Sequence, residues 1–156
     1  MEIPRNAGGG AARVLGWVAA ACWLASWLLP VVRGYPGYAA FQAALTGPFG
    51  GANPVRGEQA AAELLSALTN VAFLLMFVAW LRDRVSRPTL MLKVSLACLL
   101  MNLYWLVEAA RAGELRELLV GYYAWLAAFL LLGALAAVIA SSDRRTSRTP
   151  TGDTPA

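Results

Sequence analysis

Four apolar stretches, residues 14–32, 64–81, 90–107 and 118–140, fill most of a chain of 156 residues. Each meets or nearly meets the ~20 predominantly apolar residues, range roughly 17–25, that a helix needs to cross a hydrocarbon core ~30 Å thick. In lipid a spanning segment must satisfy its own backbone polar groups, so these stretches are expected to be helices. That single feature fixes the solvent and, with it, the expected fold class: an all-α, integral-membrane bundle of four transmembrane helices, without strands. Composition agrees. The chain is 59% hydrophobic and 14% charged, with a mean hydropathy of +0.56, where a soluble domain carries about 25% charged residues.

Charge then orients the bundle. Arg5 and Arg13 precede the first stretch, Arg82, Arg84, Arg87 and Lys93 lie between the second and third, and Arg144, Arg145 and Arg148 follow the fourth. Only Arg33, Arg56, Arg111 and Arg116 fall on the opposite side. Short loops rich in Lys and Arg stay in the cytoplasm, so both termini and the middle loop are expected there. Glu58, Glu63, Glu108, Glu114 and Glu117 fall on the outer side. The first stretch exceeds the about 7–15 apolar residues of a signal peptide. Trp17, Trp23 and Trp27 interrupt it, and no small-residue cleavage pattern precedes Pro30, so it reads as an uncleaved helix.

Arginine outnumbers lysine twelve to one, the bias of a GC-rich bacterial genome, which makes a bacterial inner membrane the expected location. The basic side is too sparse for nucleic acid. It suits anionic lipid headgroups, at about 1 kcal/mol per arginine, so the lipid bilayer is the first expected partner.

The expected organisation has three parts: a flexible cytoplasmic lead over 1–12, the transmembrane domain over 13–140, and a disordered cytoplasmic tail over 141–156. Pro30 should break or bend the first helix at the outer interface. The first outer loop opens with Gly34-Tyr35-Pro36-Gly37-Tyr38. Tyr38, Phe41 and Leu45 then recur at i, i+3 and i+7, one face of a short interfacial helix. Glycines and prolines over 46–54 should end it as irregular coil. The loop 82–88 makes the second and third helices an antiparallel hairpin, and Lys93 can snorkel back to the interface. The alternating charges over 108–117 read as a solvated turn. Ala12, Gly16 and Ala20, with Ala21 and Ala25 beside them, and the pair Gly133 and Ala137 form small-residue rows that let helices approach closely in lipid.

Polar residues within a membrane are costly and mark candidate sites. Glu63, Ser66 and Asn70 share one face of the second helix, while Asn102, Tyr104 and Glu108 lie on the third. At 1.5 Å per residue both asparagines sit roughly 10 Å below the outer helix ends. Ser26, Tyr122 and Tyr123 enter at comparable or shallower depth. The expected outcome is an outer polar cluster of Ser26, Arg33, Glu63, Ser66, Asn70, Asn102, Tyr104, Glu108, Tyr122 and Tyr123, lidded by Tyr35, Tyr38 and Phe41, over an apolar inner half. Two readings stay open. The cluster is either interhelical glue, at ~0.6 kcal/mol per contact, with Glu63 and Glu108 neutralised by Arg33, Arg111 or Arg116, or it is a pocket.

Catalysis finds little support. There is no histidine, the commonest general base and a frequent metal ligand, and no Cys/His set to hold zinc. Neither a metal nor a cofactor is expected. Glu63 and Glu108 are the one candidate acid/base pair, and salt-bridged helix edges are far commoner. Cys22 and Cys98 fall within the apolar stretches and read as small buried residues. No ionisable group lies at mid-membrane to drive proton-coupled transport, and four helices in one copy pack around a filled core rather than a channel.

One resemblance adds to this. Leu28-Leu29-Pro30 followed by Gly34-Tyr35 and Gly37-Tyr38-x-x-Phe41, Leu68-Thr69-Asn70 in the second helix, and Gly121-Tyr122-Tyr123-Ala124-Trp125-Leu126 opening the last resemble a small class of four-helix bacterial inner-membrane proteins with no assigned activity. The similarity runs over most of residues 14–140. It implies the same topology and marks these residues as candidates, without implying a reaction. The function expected is non-catalytic: an accessory or assembly subunit, partnered by other membrane proteins or by itself. The alternative is a module that binds or transports a small amphipathic or lipid-like molecule at the outer cluster.

Overall fold

A computed structural model describes residues 9–47, 57–82 and 84–146, with side chains as far as Ser142. Of the expected lead, coil and tail, residues 1–8, 48–54 and 147–156 lie outside the described residues. The chain is mostly helical, and four of its helices are long and apolar enough to cross a membrane. Helix α1 (Gly10–Leu28) begins inside the stretch expected as a flexible lead. It stops before Val32, the end expected for it, because of Pro30. The residue before a proline is pushed out of the helical region, and Leu29 is extended at φ −81°, ψ 153°.

The expectation of a strand-free chain is corrected at this point. Strands β1 (Pro30–Val32) and β2 (Tyr35–Pro36) pair antiparallel, with Val32 opposite Tyr35 and Pro30 opposite Pro36. Gly34, at φ 82°, supplies the left-handed conformation the tight turn needs. Strands this short cannot hold themselves in place. Leu119 N–H donates to the Val31 carbonyl at 2.9 Å, and Val32 bridges to Leu118, so the hairpin is fixed by the lead into the last helix.

Helix α2 (Gly37–Thr46) follows directly, where a short helix was expected. Helix α3 (Glu58–Leu81) begins ahead of residue 64. Helix α4 (Pro88–Ala112) opens with a proline at its first turn, where the missing N–H costs nothing. It runs through part of the expected outer turn and ends at Gly113, whose φ of 75° is left-handed. Glu114 N–H reaches back to the Ala109 carbonyl at 2.8 Å, the bond that closes such a cap. A 3₁₀ turn (Leu115–Glu117) leads into α5 (Val120–Thr146). That helix continues past Ala140, so residues 141–146 are helical rather than part of an irregular tail.

Helix α5 is the central element. It packs most intimately against α1 and next against α4, whereas α1 and α3 make few close backbone approaches. Small buried residues on both partners, Ala12, Ala19 and Ala20 of α1 and Gly121, Ala128 and Ala136 of α5, let those two backbones close. Aromatic rings fill the wider gap to α3. Trp23 stacks on Phe73 at 5.2 Å, Phe73 meets Phe129 edge-on at 5.6 Å, and Trp17 meets both Phe77 and Trp80. Gly16 lies against the Trp80 ring, so that part of the small-residue row is used within the chain. Ser95, 1% exposed, donates to Met91 C=O at 2.9 Å, so this buried hydroxyl in the apolar half is satisfied on its own helix.

Gly121 sits where α5 crosses the end of α1. A Cβ there would lie 2.7 Å from the Pro30 carbonyl oxygen and 2.8 Å from that of Leu29. At Gly133 the nearest atom would be Ser95 Cβ at 3.7 Å, an ordinary contact. Gly121→Ala is therefore expected to lose about 1–3 kcal/mol of stability, and Gly133→Ala close to none. Thermal unfolding of the two variants in one mild detergent checks this, and equal losses would refute the clamp.

Candidate functional site

At the α2 end the bundle does not close. Large rings hold α3 away from α1, and α2 lies across the opening, leaving a cavity of about 920 Å³. Each wall follows from helical spacing. On α3, Glu63, Ser66 and Asn70 recur at i, i+3 and i+7 and descend one face, with Ala67 beside them. On α4, Trp105 and Glu108 form the facing row, joined by Tyr104 and Ala109. Helix α1 contributes Ser26 and Trp27, and α5 contributes Tyr122 and Trp125.

The roof differs from the expected lid. Gly37, Ala40, Phe41 and Ala44 of α2 face the cavity, and Tyr35 joins them from β2. Tyr38 does not line the cavity and is 55% exposed. The inward row is the small-residue row because Gly37 rests on the Ser26 carbonyl, a contact that leaves no room for a Cβ. Phe41 packs on Trp27 with ring centres 5.0 Å apart.

Seven residues of the expected cluster are thus brought together: Ser26, Glu63, Ser66, Asn70, Tyr104, Glu108 and Tyr122. Three are not among the cavity residues. Asn102 is fully buried, and its side-chain amide has no hydrogen-bond partner on either atom; only its backbone carbonyl is used, accepting from Tyr122 Oη at 2.6 Å. Tyr123 is 48% exposed. Arg33 extends outward and meets Glu117 at 3.5 Å, while Arg111 meets Glu108 at 2.9 Å. Of the proposed neutralising pairs, only that of Glu108 with Arg111 forms. Glu63 accepts from Gln59 Nε2 at 3.3 Å instead.

The missed residues include Glu58, Glu114 and Glu117 at the cavity rim and several tryptophans. Trp23 Nε1 donates to Asn70 Oδ1 at 3.0 Å, and Trp105 Nε1 donates to Ser66 Oγ at 2.6 Å. Trp125 Nε1 is buried without a partner. A buried indole N–H seeks an acceptor, so a tryptophan at the depth of a serine or asparagine on another helix was the available signal. These bonds make part of the cluster interhelical glue. Asn70 also lines the cavity, and only its Oδ1 is used in a hydrogen bond.

Asn70 and Asn102, symmetric in the sequence, should respond oppositely to leucine. Asn70→Leu strands the Trp23 N–H and is expected to cost about 1 kcal/mol. Asn102→Leu removes a buried amide that bonds to nothing and should be neutral or stabilising. Unfolding titrations of both variants read the difference, and equal destabilisation would contradict the arrangement. No family model, curated protein or solved structure matches this chain.

Proposed function

We propose that this chain is a multi-pass protein of a bacterial inner membrane, with both termini cytoplasmic, that binds a small amphipathic or lipid-like molecule in an outward-facing cavity. Membrane insertion is supported by the band of exposed leucines and valines on all four long helices, among them Leu24, Leu75, Leu100 and Leu130. Orientation rests on the distribution of arginine. On that orientation α2 lies at the outer interface.

One observation carries the binding reading: four long helices and the α2 roof bound an open-mouthed cavity of about 920 Å³ lined by both aromatic rings and polar groups. Ligand sites are typically concave, largely apolar, and carry a few convergent polar groups. An accessory or assembly role drew its support from small-residue rows. Ala12, Gly16 and Ala20 of the longer row are buried inside the chain itself, which leaves them unable to dock a partner. Binding or carriage is therefore preferred to assembly.

Two experiments test this. A fluorescent-protein fusion at the C-terminus should fluoresce in cells and an alkaline phosphatase fusion there should be inactive; the reverse pattern would invert the orientation. Protein extracted directly into native nanodiscs should retain a bound molecule by mass spectrometry. Ala109→Phe, which fills the cavity from the half-buried side of α4, should reduce that retention at least tenfold without loss of folded protein. Unchanged retention, or an empty wild type, would refute the site.

A further inference from the structure

The cavity is chemically polarised along its depth. All five charged residues lining it among the described residues are carboxylates: Glu58, Glu63, Glu108, Glu114 and Glu117. Two of them meet arginines that point away from the cavity wall, Glu108 with Arg111 and Glu117 with Arg33. Glu58, Glu63 and Glu114 have no cation among the described residues.

The deep end is the reverse. Asn70 is 8% exposed. Its Oδ1 is taken by Trp23, which leaves the amide N–H groups unpartnered and lining the cavity. Trp125 lines the same region with its ring, while its Nε1–H is buried away from the open space and bonds to nothing. The Ser66 oxygen is occupied by the Trp105 N–H, so its hydroxyl hydrogen adds a further donor. Unpartnered amide and hydroxyl hydrogens sit toward the bottom, and carboxylates, three of them without a cation among the described residues, sit at the mouth. Between them stand Trp27, Phe41 and Trp105, whose ring faces attract a desolvated cation as well as an apolar body.

We propose that the cavity selects a cationic amphiphile. Its ammonium lies among Glu58, Glu63 and Glu108, its apolar body lies against the aromatic wall, and an acceptor oxygen reaches the Asn70 amide. This rests on the binding reading above and names the ligand's chemistry. Glu63 and Asn70 are seven residues apart on one helix face, which separates ammonium and acceptor by about 10 Å. A phospholipid is disfavoured, because its phosphate would meet carboxylates, and no cation lines the cavity among the described residues. Unlike charges are favoured and like charges repelled most strongly where water is scarce.

The probe is the methyl ester of 8-(trimethylammonio)octanoic acid, titrated into the full chain in nanodiscs and followed by tryptophan fluorescence, with empty nanodiscs as the partition control. Its uncharged analogue carries tert-butyl in place of trimethylammonium, and its anionic analogue carries sulfonate. The cation should bind at least tenfold more tightly than the uncharged analogue, and the sulfonate should not bind. The double variant Glu58→Gln, Glu63→Gln should weaken the cation at least tenfold and leave the uncharged analogue unchanged, a pattern that misfolding would not produce. Equal binding of cation and uncharged analogue overturns the charge selection and leaves the cavity reading standing. Tighter binding of the sulfonate overturns it with the opposite sign. Binding of none of the three, by protein that still retains its own molecule, also overturns it, whereas no binding and no retention overturns both readings.

Discussion

The close approach of α1 and α5 is the contact on which the other features depend. Two helices can come this near only where side chains are small, and Ala12, Ala19, Gly121 and Ala128 provide that. At the α2 end the approach becomes a backbone clamp. Gly121 fits under the Leu29 and Pro30 carbonyls, Leu119 N–H bonds Val31, and Gly37 N–H returns to the Leu29 carbonyl at 3.1 Å. The clamp turns the chain sharply after α1 and lays α2 back across the bundle. A longer α1, continuing through Val32, would leave no short route to that roof.

The cavity is a consequence of unequal spacing. Helices α1 and α4 each pack closely on α5, while Trp23, Phe73, Phe77 and Trp80 hold α3 at a distance from α1. Lower in the bundle those rings meet Phe129 and the core leucines and fill the gap, with Leu132 and Leu135 fully buried. Near α2 the rings of Trp27, Phe41 and Trp105 line the space without filling it. The space is also bounded by Ala40, Ala44 and Ala67, residues too small to fill it. Hydrogen bonds from Trp23 and Trp105 brace the same wall across helices, so the opening is framed by fixed groups.

Separation of donors from acceptors inside this frame has a simple origin. Carboxylates at helix ends remain near water, whereas amide and indole groups placed deeper must find partners or stay unsatisfied. Trp23 and Trp105 find them, and Trp125 and the Asn70 amide do not. Asn70, on a helix face that lines the cavity, is a different matter from Asn102, which is enclosed in packed side chains and open to nothing. The first arrangement leaves room for a ligand, and the second only weakens the core.

Periodicity and length alone determined much of this protein. The four long helices, the short helix after Pro36, the break at Pro30, and the concentration of polar groups at one end all follow from side-chain pattern, because apolar length and helical spacing are local properties. The α3 face of Glu63, Ser66 and Asn70 was legible for the same reason. Tertiary structure alone decided the hairpin, since Pro30–Val32 becomes a strand only through a partner remote in sequence, Leu118 and Leu119. It decided which face of α2 turns inward, because Gly37 must seat on a carbonyl of α1. It also separated Asn70 from Asn102, alike in type and depth, by giving one of them a tryptophan and a cavity and the other neither. Pattern reports which residues are costly to bury; only packing says which of them are left something to bind.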